Sequence, residues 1–318
     1  MLRNITVSFP GLGIESFDLD NVAFKIGESF EVMWYGVVIA LGMLMAIGYA
    51  AYRCKQSGIS VDDLTDIAIF TILFGVIGAR LYYVAFSPNQ FKTIWDVLNL
   101  RSGGLAIYGG IIAGALTVFV CCLIKKISWR KLFDCVGPGV MIAQAMGRWG
   151  NFFNGEAFGG LVQEGHPLYF LRMGLISRNT FGDFGTSSMV YVHPTFLYES
   201  LWNILGFVLI NIVFKKKKFD GQNALYYFAW YGFGRMFIEG LRTDALFIGD
   251  TGIRVSQLLG FLLFAVATAL IVWGLIYVKN YPDSKLAIVN NAPAVEVKEE
   301  KAEETKATEE NCENTENG

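Results

Sequence analysis

The chain has 318 residues, of which 53% are hydrophobic and 17% charged, with a mean hydropathy of +0.43. This composition excludes an ordinary soluble domain and reads as a polytopic membrane protein. The formal net charge of −2 hides an asymmetry: residues 296–318 hold nine glutamates and three lysines, so the rest of the chain is basic.

Residues 1–33 have no apolar run behind Arg3, which argues against a cleavable signal peptide, and are expected to form an extracytoplasmic N-terminal arm. Runs of about 20 apolar residues then predict roughly seven spans within residues 34–282. They open at Trp34, Ile67, Gly104, Phe133, Phe196, Ala224 and Val255. The fourth and sixth are the least hydrophobic and carry arginines, so they are expected to face protein rather than lipid. The expected fold is an all-α membrane protein, with an outer loop or small head region over residues 160–195.

Basic residues follow the first span (Arg53, Lys55), the third (Lys125, Lys126, Arg130, Lys131) and the fifth (Lys215 to Lys218). The positive-inside tendency makes these loops cytoplasmic and puts the N-terminus outside. The lysine run reads as an orientation signal and lipid-surface contact. Residues 283–318 lack aromatics and any sustained apolar period, and are expected to be a disordered acidic cytoplasmic tail. Cys54, Cys121, Cys122, Cys135 and Cys312 have no metal or disulfide spacing, so no metal or cofactor is expected. Nor is a nucleic-acid partner.

The polar residues of the apolar body carry the functional signal. GRWGNFFNGEAFG, residues 147–159, places Arg148, Asn151, Asn154 and Glu156 beside hydrocarbon. An ionised arginine there requires an anionic or polar partner. On a helix turning about 100° per residue, Arg235, Glu239 and Arg242 of GRMFIEGLR form one stripe, in which Glu239 can hold either arginine and leave a guanidinium fork free for an anion. A purely structural Arg148–Glu156 ion pair is the competing reading. Two arginine centres, amides and close-packing glycines point to a lipid whose phosphate lies at membrane depth. Tyr35 and Tyr108 read either as interfacial anchors or as site residues among glycines. His193, just before Pro194, is either a helix-entry residue or a general acid/base. His166 is read as loop.

GRWGNFFNGEAFG resembles the signature of the bacterial prolipoprotein diacylglyceryl transferases. WYG at Trp34, GARLYY at Gly78, GGLAIYGG at Gly103, HPTFLYE at His193 and GRMFIEGLR at Gly234 resemble that family's other blocks, in its order. The similarity covers about residues 30–280. It implies a seven-helix bacterial inner-membrane enzyme that moves diacylglycerol from phosphatidylglycerol to the lipobox cysteine of a prolipoprotein. A thioether would form and glycerol phosphate would leave. By resemblance Arg148 and Arg235 are the essential phosphate-binding and activating cations, Asn151, Gly159 and Tyr35 are essential too, and Asn154, Glu156, Glu239 and Arg242 support them. Some members carry a histidine, proposed as base, where this chain has Tyr108; a phenol with a pKa near 10 is a poor base at neutral pH.

The active site is expected towards the outer leaflet, with the arginines holding the lipid phosphate and stabilising the leaving group. General-base help is open between Tyr108, His193 and Glu239. A secondary transporter for an anionic solute is the main alternative, but no inverted repeat is seen. A structural or receptor-like membrane protein would leave the polar stripe unexplained.

Overall fold

A computed structural model describes residues 5–27, 30–87, 90–91, 93–100, 103–249, 251–284 and 286–287. Seven helices of 17 residues or more are found among them: α1 (Trp34–Gln56), α2 (Val61–Phe86), α4 (Ile107–Ile124), α5 (Trp129–Phe153), α7 (Thr195–Val213), α8 (Gln222–Ile238) and α9 (Val255–Asn280). Short helices α3 (Ile94–Leu98) and α6 (Arg178–Phe184) lie in loops. Five of the long helices, α1, α2, α4, α7 and α9, are long and apolar enough to cross a membrane. The expected fourth and sixth spans, α5 and α8, are helices outside that group.

Those two sit inside the bundle. Helix α5 packs on α1, α7 and α8, and α8 packs on α9, α5 and α7. The buried Asp134 of α5 accepts the Gly221 and Ala224 amides at 2.9 Å and the Lys217 ammonium at 2.8 Å. It thereby caps the first turn of α8 from a neighbouring helix, meeting amides that have no intrahelical partner. Burial works against the Lys217 charge, and the Asp134 carboxylate, with Asp220, more than offsets it, so the lysine is held above its ordinary value.

The expectation of an all-α protein requires correction. The N-terminal arm and the loop before α7 build a small β head. Strands β1 (Ile5–Phe9), β2 (Ile14–Leu19), β5 (Met173–Ile176) and β6 (Val190–Val192) form one antiparallel sheet in the order β2-β1-β5-β6. A separate hairpin, β3 (Val22–Ile26) and β4 (Phe30–Met33), leads into α1. The arm and the loop cannot bury apolar side chains alone. Together they enclose Val7, Leu175 and Val192, each at most 1% exposed, and rest on Phe158 and Phe196 above the bundle.

Helix directions place the head at one end of the bundle and the clusters Arg53/Lys55, Lys125/Lys126, Arg130/Lys131 and Lys215–Lys218 at the other. Of the tail expected from residue 283, the described part turns back, so that Ala287 bridges to Phe219. The acidic stretch 296–318 lies outside the described residues.

Candidate active site

The C-terminal end of α5, the start of α7 and the end of α8 meet directly beneath the head. Aromatic packing sets their alignment. Phe152 and Phe196 approach to 4.6 Å, and Trp149 Nε1 donates to Ser200 Oγ at 3.2 Å, locking α5 to α7. Trp202 and Trp230 stack at 4.1 Å, and each indole donates to the other's backbone carbonyl, locking α7 to α8. Such paired contacts fix helix register as well as distance.

Within this frame three guanidiniums converge on one carboxylate. Glu199 of α7, with a side chain 6% exposed, receives Arg148 Nε at 2.8 Å, Arg235 Nη1 at 3.1 Å and Arg242 Nη1 at 3.3 Å. Glu199, the last residue of HPTFLYE, is not among the site residues expected from sequence. Its signal was available, since a lone acid in an apolar span demands a partner.

Arg148 and Arg235 are therefore brought together as expected, but through a shared anion. Arg148 does not pair with Glu156. Its Nη1 instead donates to Asn151 Oδ1 at 3.3 Å, while Glu156 accepts the Asn151 amide at 3.0 Å and the Asn154 amide at 3.2 Å. Arg235 is the more completely engaged cation, because Nη2 also meets Glu239 at 2.6 Å. Among the described residues the one hydrogen bond of the Arg148 guanidinium is the one from Nη1, and Nη2 donates none.

The stripe read on the sixth span is real only in part. Helix α8 stops at Ile238, Glu239–Leu241 is a 3-10 turn, and Arg242 lies beyond it in extended backbone. Arg242 spends its fork on Asp244, at 2.9 and 2.7 Å, a partner not singled out from sequence. Burial pushes the Asp244 carboxyl up, but the Arg242 hydrogen bonds and charge, with Arg235 behind them, hold it below the usual carboxylate range. Burial likewise opposes the Arg242 charge, and Asp244, Glu199 and Glu239 together hold it above its ordinary value.

The loop after α5 is clamped to these helices by its backbone. Gly159 donates to the His193 carbonyl at 2.9 Å and bridges Arg242. A Cβ at Gly159 would lie 2.7 Å from the His193 Cβ and 2.9 Å from the Leu241 carbonyl oxygen, so only glycine fits. Ala157 holds a left-handed φ of +56°, fixed by the Thr195 hydroxyl on its carbonyl. A non-glycine residue in that region stores strain, which concentrates at functional sites.

His193 is 6% exposed, with Nδ1 3.3 Å from the Tyr198 hydroxyl, and its ring meets the edge of His166 at 4.9 Å. Burial, with the His166 ring adding to it, pushes the His193 imidazole below its ordinary value. The structure thus joins His166, read as plain loop, to this wall. Tyr35, in the first turn of α1, lays its ring against Gly150, two residues from Arg148. Tyr108 lies in the first turn of α4, 38% exposed, and among the described residues no hydrogen bond, ion pair or ring contact joins it to the arginines. The segment leading to it hangs on Arg80 of GARLYY, which is 5% exposed. Arg80 donates to the carbonyls of Asp96, Val97, Asn99 and Gly104 at 2.7 to 3.0 Å. This satisfies irregular backbone that lipid could not.

Residues 21–273 match the family profile described as prolipoprotein diacylglyceryl transferase. A phosphatidylglycerol–prolipoprotein diacylglyceryl transferase of Clostridium kluyveri is 43% identical over 249 residues, covering 77% of this chain and 92% of that protein. Enzymes of the same name from Clostridium perfringens and Listeria welshimeri are 42% and 41% identical, each over 80% of this chain, covering 95% and 90% of their own length. Helices apolar enough for a bilayer, a cationic cluster beneath a head and this extent of identity agree: the chain belongs to the prolipoprotein diacylglyceryl transferase family and is a membrane transferase.

Proposed function

We propose that the protein transfers the diacylglyceryl group of phosphatidylglycerol to the lipobox cysteine of a prolipoprotein signal peptide, forming a thioether and releasing glycerol phosphate. The observation that carries this reading is the convergence of Arg148, Arg235 and Arg242 on Glu199, with Arg148 Nη2 making no hydrogen bond among the described residues. The relatives' names supply the two substrates. All seven long helices span the bacterial plasma membrane, the head and the N-terminus face outwards, and the site opens to the outer leaflet. The basic loops at the opposite end support that orientation.

In this reading Arg148 binds the phosphate with Nη2, which donates no hydrogen bond among the described residues, and Asn151, itself held by Glu156 with Asn154, aims the fork. Arg235 and Arg242 are held in place by Glu199, Glu239 and Asp244, and lend positive potential to the phosphate as charge builds. Tyr35 braces the last turns of α5, while Gly159 and His193 fix the loop that roofs the site.

The cysteine sulfur attacks the glyceryl carbon that bears the phosphate ester. The C–S bond forms, the C–O bond breaks, and its electron pair leaves on glycerol phosphate. Glu239 is ion-paired, His193 enclosed and Tyr108 a weak base, so the reaction draws on the few per cent of thiolate that a thiol of pKa about 8.5 holds near pH 7, its proton going to solvent. The test is mass spectrometry of a lipobox peptide incubated with purified protein and phosphatidylglycerol. A diacylglyceryl mass gain on the cysteine is expected. Unmodified peptide, with flux of an anionic solute in proteoliposomes, would overturn the reading in favour of a transporter.

A further inference from the structure

At the end of the bundle opposite the arginine cluster, a cavity of about 410 Å³ opens between the start of α5, the start of α8 and the last turns of α9. Phe133, Phe228 and Leu270 make an apolar slot, and Trp129 and Trp273, 42% and 56% exposed, stand at its mouth. Arg130 lines the same cavity and lies 5.6 Å over the Trp129 ring. Asp220, also in the lining, is already engaged by Lys217 at 3.0 Å and Lys131 at 3.9 Å. Among the described residues no carboxylate lies within 4.0 Å of Arg130, Lys215, Lys216 or Lys218.

An acyl-sized slot, two exposed indoles, Arg130 in the lining and the lysines that immediately precede Phe219 of the lining match the three layers of an anionic phospholipid: chain, glycerol ester and charged headgroup. We propose that this cavity is a second lipid site, separate from the transfer site, which takes an anionic phospholipid with its phosphate on Arg130 and one acyl chain between Phe133, Phe228 and Leu270. Its assignment to the cytoplasmic leaflet rests on the orientation proposed above. Lys217 is not part of the headgroup contact, because Asp134 and Asp220 hold it.

The test is native mass spectrometry of the full-length protein in detergent micelles, with phosphatidylserine and phosphatidylcholine of identical chains as probes. Wild-type protein is expected to retain phosphatidylserine preferentially. Arg130→Gln should lower that preference roughly fivefold, and Lys215→Gln with Lys216→Gln further, at about fivefold per cation. Leu270→Trp, which fills the slot, should weaken retention of both lipids. Diacylglyceryl transfer by Arg130→Gln should stay at the wild-type level. Wild-type preference surviving in the charge variants would overturn the proposal. So would absence of retained lipid in the wild type together with cross-links from Lys131, Lys215 or Lys216 to glutamates of 296–318, which would assign the patch to the acidic C-terminal stretch. Micelles have no sidedness and phosphatidylserine lacks the transferred lipid's headgroup, so failure here leaves the transfer and orientation readings standing.

Discussion

A carboxylate ringed by three guanidiniums cannot be neutralised without stranding cations in a partly dehydrated site, and Glu199 is such a carboxylate. Breaking a buried ion pair from one side costs about 3–5 kcal/mol, because the partner charges remain. Glu199→Gln should therefore lower thermal stability in detergent by several degrees and abolish transfer, with Glu199→Asp recovering part of both. A Gln variant that melts and turns over like wild type would mean that the arginines do not depend on this acid. His193 gives a pH prediction at the same scale. Its folded pKa is depressed, so the unfolded chain binds the proton more readily; stability is full above about pH 6.5 and is lost as the pH falls from there through the lowered folded value. Melting curves at pH 7.5 and 5 should differ in wild type, and His193→Gln should reduce the difference; an unchanged difference would remove His193 as its source. Arg148, Arg235, Asn151 and Glu156 were legible from sequence because charged and amide groups beside hydrocarbon need a reason. Glu199 and Asp244 are not legible there, because which acid an arginine meets depends on helix alignment; spacing offers Glu239 to Arg235, which the structure bears out at 2.6 Å, and Glu156 to Arg148, which it does not.

Elements are joined here by a few polar contacts inserted between apolar faces. Asp134 is the clearest, 0% exposed and shared by the α8 amides and Lys217. Asp134→Ala should destabilise the protein by about 3 kcal/mol through a stranded lysine and an uncapped helix. Thermal unfolding of the purified variant measures this, and a shift of less than a degree would show that the joint is not needed. Periodicity and apolar length located the long helices well, since in a bilayer the backbone must satisfy itself within the segment. They missed where α8 ends, because the glycines of GRMFIEGLR permit a tighter turn before Arg242. They also missed the β head. Strands β1 and β5 lie more than 150 residues apart in sequence, and although β1 (ITVSF) alternates, its partner MGLI does not, so neither pattern announces a pairing that distant.

At the scale of the whole molecule, charge and architecture are polarised together. A β head and a cluster of arginines held by acids lie at one end, and the basic clusters lie at the other, where Lys125, Lys131 and Lys217 are ion-paired and Arg130, Lys215, Lys216 and Lys218 have no ion-pair partner among the described residues. That polarity follows from composition and from the placement of basic loops. The convergence of three helices beneath the head does not, because it rests on the Trp202–Trp230 and Phe152–Phe196 contacts, which no spacing rule specifies. In the proposed function the Arg148 fork, aimed by this convergence, grips the phospholipid phosphate. The most direct measurement is kcat/KM of Arg148→Lys for a lipobox peptide and phosphatidylglycerol, alongside its melting temperature. Lysine keeps the charge and loses the planar fork, so a fall of about a hundredfold or more with a near-normal melting temperature is expected. Turnover within a fewfold of wild type would show that the fork does not hold the phosphate.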